Sequence, residues 1–354
     1  MGNSLLILGN GFDLAHNLKS SYENFRSYLI QRAFESRKCD LDFEDELEQI
    51  IIEYFDEPKN VDEIKNKYLA NLTQGKDKYT TCINDALSNL FRESDTVFNL
   101  DTNEYTNHDD LAYDWLVHIN KVVDYLYSSK KNLWSDFEGN LRCLELDSVA
   151  DILKPYDEND ADETKYGDED AFYADFQVLT YTIHWLFQDW ANDLNSKIDI
   201  NPLPEFKKFI SDVSPKIITF NYTDTIENIY SYDNIYHIHG HADGYAELVF
   251  GTSVENDYDD RYRYSAYDGL IKNTDKWWNN MIDQSPSILN NIENIYVYGH
   301  SLGEVDHDYL NRIIDRLPKA VWYINVYDES KYSDMKDILT GLGAKEVNMW
   351  HLKV

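Results

Sequence analysis

Cysteine, proline and basic residues are all scarce in this chain of 354 residues. Its three cysteines, Cys39, Cys82 and Cys143, lie far apart and form no C-x-x-C pair, which argues against a disulfide framework or a cysteine zinc site. Only 7 prolines interrupt the chain, and no apolar run approaches the length of a membrane span. These absences favour a protein of the reducing cytoplasm, with no membrane partner.

Positive charge is the other shortage. The chain has 65 acidic residues against 32 basic ones, which gives a formal net charge of −33. Such a surface repels a nucleic-acid backbone, and no run of lysine and arginine offsets the repulsion. We therefore expect no nucleic-acid partner. What the chain does contain is 43% hydrophobic residues, enough for a sizeable core.

Short apolar runs near the two ends of the chain have the character of buried strands. Several are apolar on both faces, as in a parallel sheet, and helical patterns follow Asn221, Asp306 and Ser330. This alternation predicts βαβ units in an α/β sheet. The predicted strands are residues 4–8, 216–220, 235–238, 247–250, 294–298 and 320–327.

A long segment with helical periodicity separates the first predicted strand from the others. Its clearest stripe, within residues 172–190, predicts the core face of a helix, and an acidic stretch at 156–170 is interpreted as a solvated loop. We therefore predict two domains. Residues 1–30 and 213–354 form the nucleotide-binding domain, and residues 31–212 form a helical insertion domain.

Two glycines, Gly9 and Gly11, follow the first predicted strand directly. Glycines at this position let backbone N–H groups approach a phosphate, although the third glycine of G-x-G-x-x-G is replaced by Leu14. One interpretation is a nucleotide-binding loop. The other is an ordinary tight turn, with Asp13 capping the next helix.

Polar residues follow the strand predicted at 216–220. Asn221, Thr223 and Asp224 lie at its carboxyl end, where open α/β sheets place their ligand crevice. The Asn221 amide can hold a ribose hydroxyl or a water molecule, or it can cap the helix that follows. Both interpretations remain open.

Three histidines alternate in HIHGH, residues 237–241. On a strand, His237, His239 and His241 would share one face, which would suit a metal ion. Because no other ligand motif accompanies them, we expect no metal. A single catalytic histidine is simpler, and His239, which precedes Gly240, is the predicted general base.

Residues 299–303 match G-x-S-x-G, the pattern of a hydrolase nucleophile elbow. Asp306 or Asp328 with His351 would complete a triad with Ser301 in the required chain order. Only residues 302–354 follow the serine, and the long insertion splits the sheet upstream. We therefore do not favour a serine hydrolase.

Five longer motifs together resemble the AbiH family of bacterial phage abortive infection proteins. The resemblance implies a role in antiviral defence and extends over nearly the whole chain. The motifs are LLILGNGFDLAHNLKSSYENF (5–25), LWSDFEGNL (133–141), ITFNYTDTIE (218–227), IYHIHG (235–240) and YVYGHSLGEVDHDYL (296–310).

AbiH proteins are in turn distantly similar to sirtuin-like NAD-binding domains. The sirtuin G-A-G loop, which binds the dinucleotide, is similar to residues 9–11. The asparagine of T-Q-N-I-D falls on Asn221, whereas its aspartate falls on Thr223, and Asp224 comes one position later. The H-G pair that carries the catalytic base falls on His239 and Gly240.

Two further sirtuin elements have counterparts, and one does not. The G-T-S-L loop, which contacts the adenosine half of NAD, is similar to residues 299–302. A strand that ends in an asparagine near the adenine is similar to 323–325. The four-cysteine zinc module of sirtuins has no counterpart, which argues against protein deacylation.

The resemblance implies an α/β fold with a Rossmann-like parallel sheet of sirtuin type and a large all-helical insertion after the first βα unit. It also implies NAD as substrate or ligand. The expected catalytic residues are His239, Asn221 and Asp224. The expected NAD-binding residues are Gly9, Asn10, Gly11, Asp13, Thr219, Gly299, His300, Ser301 and Asn325.

The expected activity is cleavage of NAD during abortive infection. The alternative is a sensor that binds NAD or ADP-ribose and acts through a phage or host protein. A metal-dependent hydrolase or nuclease centred on HIHGH is the third hypothesis. A homo-oligomer is compatible with each of them.

Overall fold

The computed structural model describes residues 3–36, 169–198, 200–233, 235–242, 248–251 and 286–352, together with short pieces between them (98–99, 104–105, 119, 122, 138, 149, 272, 274 and 278). Its strands are β1 (Ser4–Leu8), β2 (Phe98–Asn99), β3 (Glu104–Tyr105), β4 (Lys216–Thr219), β5 (Ile235–His237), β6 (Asn294–Tyr298), β7 (Val321–Asn325) and β8 (Glu346–Trp350). Its α-helices are α1 (Gly11–Ala15), α2 (Tyr22–Ser36), α3 (Glu169–Ser196), α4 (Pro204–Val213), α5 (Thr225–Tyr230), α6 (His307–Arg316) and α7 (Tyr332–Gly341). Three short 3₁₀ helices span Pro286–Leu289, Glu304–Asp306 and Glu329–Lys331.

Six strands form one parallel sheet in the order β5-β4-β1-β6-β7-β8. Numbered along the chain within this sheet, the order is 3-2-1-4-5-6, as in doubly wound dinucleotide-binding folds. The order reverses between β1 and β6, where Leu8 pairs with Tyr298. In such sheets, ligands bind beyond the carboxyl ends of the strands at this reversal.

Strand β1 lies at the centre of the sheet because it is apolar on both faces. Leu5 and Ile7 belong to the core on one side of the sheet, and Leu6 and Leu8 to the core on the other. Residues of α6 and α7 pack in the first core, and residues of α1, α4 and α5 pack in the second. Helices on both faces explain why the strand carries no polar stripe.

The predicted α/β sheet is confirmed, with differences at its edges. Strands β1 and β6 have the predicted bounds, whereas β4, β5 and β7 are shorter than predicted. Residues 248–250 are not in a strand, contrary to the prediction. The edge strand β8 was not predicted, because EVNMW carries polar residues and lacks the continuous apolar character of a buried strand.

The prediction that residues 31–212 are wholly helical is wrong. Strands β2 and β3 form an antiparallel pair within it. The predicted helical stripe at 172–190 is confirmed within α3, and Ile119 and Val122 are buried helical residues. The acidic stretch lies, up to residue 168, outside the described residues. The division of the chain into two domains stays a prediction.

None of the described helices combines the length and the apolar character needed to cross a membrane.

Candidate functional site at the carboxyl edge of the sheet

The loops that follow β1 and β6 touch backbone to backbone. The Gly11 N–H donates to the Gly299 carbonyl at 2.7 Å, and the Phe12 N–H donates to the Gly9 carbonyl at 2.8 Å. A Cβ on Gly9 would lie 2.6 Å from the Cα of His300, and one on Gly299 would lie 2.3 Å from the Phe12 nitrogen. Both distances are far below van der Waals contact. The glycines are therefore required by the approach of the two loops.

Asp13 lies in α1, immediately after this contact, with its side chain buried. It accepts a hydrogen bond of 2.6 Å from the Thr223 hydroxyl at Oδ2, and Thr225 donates in turn to Thr223 at 3.0 Å. Its other oxygen, Oδ1, is buried and has no hydrogen-bond partner among the described residues. Asp13 does not cap a helix, contrary to one prediction, because the N-cap of α1 is Asn10.

The environment of Asp13 disfavours its charge. Burial raises the pKa of Asp13 to about 6, and the nearby Thr223, Thr225 and Asn221 side chains only partly offset this effect. A carboxyl group with such a pKa changes charge close to neutral pH. Perturbed groups of this kind occur preferentially at functional sites.

Asn221 is buried directly beyond β4. Its N–H donates to the Thr219 hydroxyl at 3.1 Å, so Thr219 supports the turn that places Asn221 at the edge. The following helix α5 has Asp224 as its N-cap, so the prediction that Asn221 caps it is wrong. Asn221, in the loop after β4, and Asp13, in α1 after β1, thus lie at the same edge of the sheet.

The three histidines do not share a face, contrary to prediction. Strand β5 ends at His237, and Gly240 has a φ of 84°, so the chain turns within HIHGH. The rings of His237 and His241 meet, with centroids 4.6 Å apart. His239 lies apart from them, stacked on Tyr222 with ring centroids 5.7 Å apart.

His239 belongs to a buried polar group that the sequence analysis did not predict. We name the set of Glu138, Lys272, Asp306, His239 and His300 the Lys272 cluster. The Lys272 ammonium lies 3.0 Å from both Glu138 Oε1 and Asp306 Oδ1. His239 Nε2 lies 3.3 Å from Asp306 Oδ1, and His300 Nε2 lies 3.5 Å from Asp306 Oδ2.

The charges in the Lys272 cluster largely compensate one another. Burial alone would raise the pKa of Asp306, but Lys272 and the two histidines hold it well below its usual value. Burial raises the pKa of Glu138 to about 7, against the attraction of Lys272. Burial and the Lys272 charge lower the pKa of His239 to about 4, so its imidazole is neutral at pH 7.

One histidine of the Lys272 cluster has a defined tautomer. His300 Nδ1 accepts from the Leu302 N–H at 2.9 Å, so the ring hydrogen of His300 is on Nε2, the nitrogen nearest Asp306. His239 Nε2 lies 3.3 Å from Asp306 Oδ1 but makes no hydrogen bond with the described residues. Burial also lowers the pKa of His300.

Comparison with protein families gives a match that covers most of the parallel sheet. A family model described as bacteriophage abortive infection AbiH matches residues 5–326, which include every strand of the parallel sheet except β8. The chain belongs to the AbiH family. This AbiH protein therefore belongs to phage abortive-infection defence. No curated protein sequence and no solved structure matches it.

The AbiH protein does not bring a serine triad together. Ser301 is exposed, and the residue with the unusual backbone is Leu302, with a φ of 58°. Asp306 faces Lys272, and Asp328 accepts from the Ser330 N–H at 3.0 Å. His351 follows β8, which β7 separates from the strand before Ser301.

Two other predicted NAD-binding residues already bond within the AbiH protein. The Asn10 side chain donates to the Ser20 carbonyl at 2.9 Å, which holds the loop after α1. The Asn325 side chain donates to the Trp350 carbonyl at 3.2 Å, which joins the ends of β7 and β8. A contact of either residue with NAD stays a prediction.

Proposed function

We propose that this AbiH protein binds NAD at the carboxyl edge of its sheet and hydrolyses the bond between nicotinamide and ribose. Depletion of NAD would then be the means by which it aborts a phage infection. The proposal is supported by the strand order, which reverses beside the glycine contact. It is also supported by Asp13 and Asn221, which lie at this edge after the neighbouring strands β1 and β4.

The observation that carries the proposal is the unpartnered oxygen of Asp13. A buried carboxylate oxygen without a donor costs free energy, so such groups are rare unless a ligand or a water molecule completes them. A ribose hydroxyl is a suitable donor. The negative charge of Asp13 would also stabilise the positive charge that develops on the ribose as nicotinamide leaves.

Each step of the reaction then has a residue to perform it. The C1′–N bond breaks and nicotinamide leaves with the bonding electrons, while a water oxygen bonds to C1′ and releases a proton. The Asn221 amide would orient the ribose or the water. His239, neutral at pH 7, would accept the proton on its imidazole.

Incubation of the purified protein with NAD tests the proposal. Chromatography should detect nicotinamide and ADP-ribose in equal amounts. Asp13→Asn should remove most of the activity, and Asp337→Asn, at an exposed position of α7, should retain it. The rate should rise with pH through about 6 as Asp13 ionises. A folded, defence-active protein that releases no nicotinamide would contradict the enzymatic role.

Binding without cleavage is the second candidate. The Gly11 N–H already donates to Gly299, so this amide is not available to a diphosphate while the two loops touch. A sensor would bind NAD or ADP-ribose and signal through a phage or host protein. Calorimetry that detects NAD binding to the wild type and to His239→Ala, with no turnover in either, would favour the sensor.

A further inference from the structure

A second group of polar side chains lies beyond β4 and β5. It includes His237 and His241 but not His239. Asp224, His237 and His241 each bring one ligand atom within 4.8 Å of the other two. His241 Nε2 lies 2.6 Å from Asp224 Oδ1. Glu227 Oε1 lies 2.7 Å from His237 Nε2, which adds a second carboxylate. We name these four residues the Asp224 cluster.

We propose that the Asp224 cluster binds one divalent first-row metal ion of the zinc class, through two imidazoles and one or two carboxylates. Imidazole and carboxylate ligands in this combination suit Zn²⁺. Metal–ligand bonds of about 2.1 Å place tetrahedral ligand atoms roughly 3.4 Å apart. The ligand atoms of Asp224, His237 and His241, now within 4.8 Å of one another, would come to that spacing on binding, and Glu227 lies beside His237 as a fourth ligand.

His237 is already oriented as a metal ligand. Its Nδ1 lies 3.0 Å from the Asn221 carbonyl, to which it donates its hydrogen, so Nε2 is directed at the cluster. Metal-binding histidines usually have this arrangement, in which a carbonyl or carboxylate accepts the other ring N–H and fixes the tautomer.

Without a metal ion, the same ring faces two acceptors. Nδ1 faces the Asn221 carbonyl and Nε2 faces the Glu227 carboxylate. A cation between them would be a partner for both the Nε2 lone pair and the carboxylate.

Asp224 is diverted from the role that its position favours. An aspartate at a helix N-cap normally accepts a hydrogen bond from an N–H of the first turn. Asp224 is the N-cap of α5 but makes no such bond, and its carboxylate faces His241. Its Oδ1 is paired with His241 Nε2 at 2.6 Å, whereas the Glu227 Oε2 is a buried atom that lacks a hydrogen bond within the described part of the chain.

One residue of α3 fixes the two loops that carry the cluster. Asn195 Oδ1 accepts from the Asp224 N–H at 2.8 Å, and Asn195 Nδ2 donates to the Ala242 carbonyl at 3.2 Å. The Ala242 N–H also donates to the Tyr222 carbonyl at 3.1 Å. These contacts hold Asp224 and His241 in place, as the residues around a metal site do.

The test uses the full-length protein, stripped with a chelator, in the absence of NAD. Calorimetric titration with Zn²⁺ should show one tight site, and thermal unfolding should shift to higher temperature. Co²⁺ should give the visible bands of a tetrahedral nitrogen and oxygen site, without a thiolate charge-transfer band. The proposal would be overturned if Co²⁺ gave none of these bands. It would also be overturned if Zn²⁺ bound only weakly and at many sites, as it does to exposed carboxylates on a protein surface.

Variants assign the site to the cluster. His241→Gln and Asp224→Asn should each weaken Zn²⁺ binding by at least about 100-fold. His351→Gln, at an exposed histidine after β8, should bind as the wild type does. Circular dichroism checks that each variant is folded, and two variants allow for the failure of one. Tight binding that survives both substitutions would place the metal elsewhere and refute the assignment, whatever the outcome with NAD.

Discussion

Asp13 and Asp306 are both buried aspartates at the carboxyl edge of one sheet, and their protonation differs widely. Burial raises the pKa of Asp13 to about 6, whereas the pKa of Asp306 lies well below its usual value. Burial acts on both in the same direction. The difference comes from Lys272, whose ammonium lies 3.0 Å from Asp306, whereas the charge that lowers the pKa of Asp13, that of His237, has a smaller effect than the neighbouring side-chain hydrogen bonds.

The comparison distinguishes two uses of a buried charge. In the Lys272 cluster, the cation and the carboxylates satisfy one another, and both histidine rings lie within 3.5 Å of Asp306. Asp13 keeps one oxygen without a donor, and the hydrogen bonds and the His237 charge beside it offset the cost of burial only in part. A compensated group serves the fold, and an uncompensated one marks where a ligand is to bind.

The largest effect is expected from Lys272→Met, which removes the compensation. Glu138 and Asp306 would then face each other without a cation, and the loss of one partner from a buried ion pair typically costs about 3–5 kcal/mol. Urea unfolding measures the change. Lys331→Met, at an exposed lysine, is the matched control and should change stability little.

A double variant sharpens the result. Asp306→Asn added to Lys272→Met removes the carboxylate that Lys272 holds ionised, because Glu138 without the lysine is protonated at neutral pH, so part of the lost stability should return. No recovery, together with a Lys272→Met effect equal to that of the control, would show that the cluster is not compensated as described.

Asp13→Asn should act in the opposite direction and stabilise the protein at neutral pH. A pKa raised from 3.8 to about 6 corresponds to about 3 kcal/mol of cost for the ionised form. Folded protein holds this proton more tightly than the unfolded chain does. The contribution of Asp13 to the stability of the wild type should therefore be most favourable below pH about 4 and should be lost as the pH rises through about 6.

The measurement is the free energy of unfolding of both proteins across this pH range. The advantage of Asp13→Asn should be greatest above pH about 6 and should shrink toward pH about 4. If the two proteins showed the same pH dependence of stability, the pKa of Asp13 would not be raised in the folded state.

The smallest of these effects is expected at the glycine contact, where the loops leading to the two aspartates meet. Gly299→Ala places a methyl group 2.3 Å from the Phe12 nitrogen at a φ of 68°, which should cost about 2 kcal/mol or more. Gly341→Ala, with no atom within 4 Å of the new methyl group, should be neutral or slightly stabilising. Similar melting temperatures for the two variants would contradict the close approach.

The parts of the fold that sequence could predict are those decided by local pattern. Strands β1 and β6 are continuous apolar runs between polar turns, so their bounds were predicted correctly. The edge strand β8 was missed because its polar residues hide it. The prediction that the three histidines share a face is wrong because β5 ends at His237, where its pairing with β4 ends, and because the chain turns at Gly240.

The candidate site was predictable only where it follows a strand directly. Asn221 and the glycines were found from their position after apolar runs. Glu138 and Lys272 were not, because their partners lie 134 and 34 residues away along the chain. Glu138 lies in the motif LWSDFEGNL, which gives it no role by itself, and no quoted motif contains Lys272. Contacts at such separation are set by the packing of distant elements.

The central place of β1 has a consequence for the time at which the protein becomes active. β1 is synthesised first, but its neighbours in the sheet are residues 216–219 and 294–298. At about 5–20 residues per second, a ribosome needs roughly 15–60 s to reach the second neighbour. Until then, the nascent chain lacks the strands on either side of β1, so the candidate site at the carboxyl edge of the sheet cannot form. Any activity of that site therefore requires most of the chain to be translated.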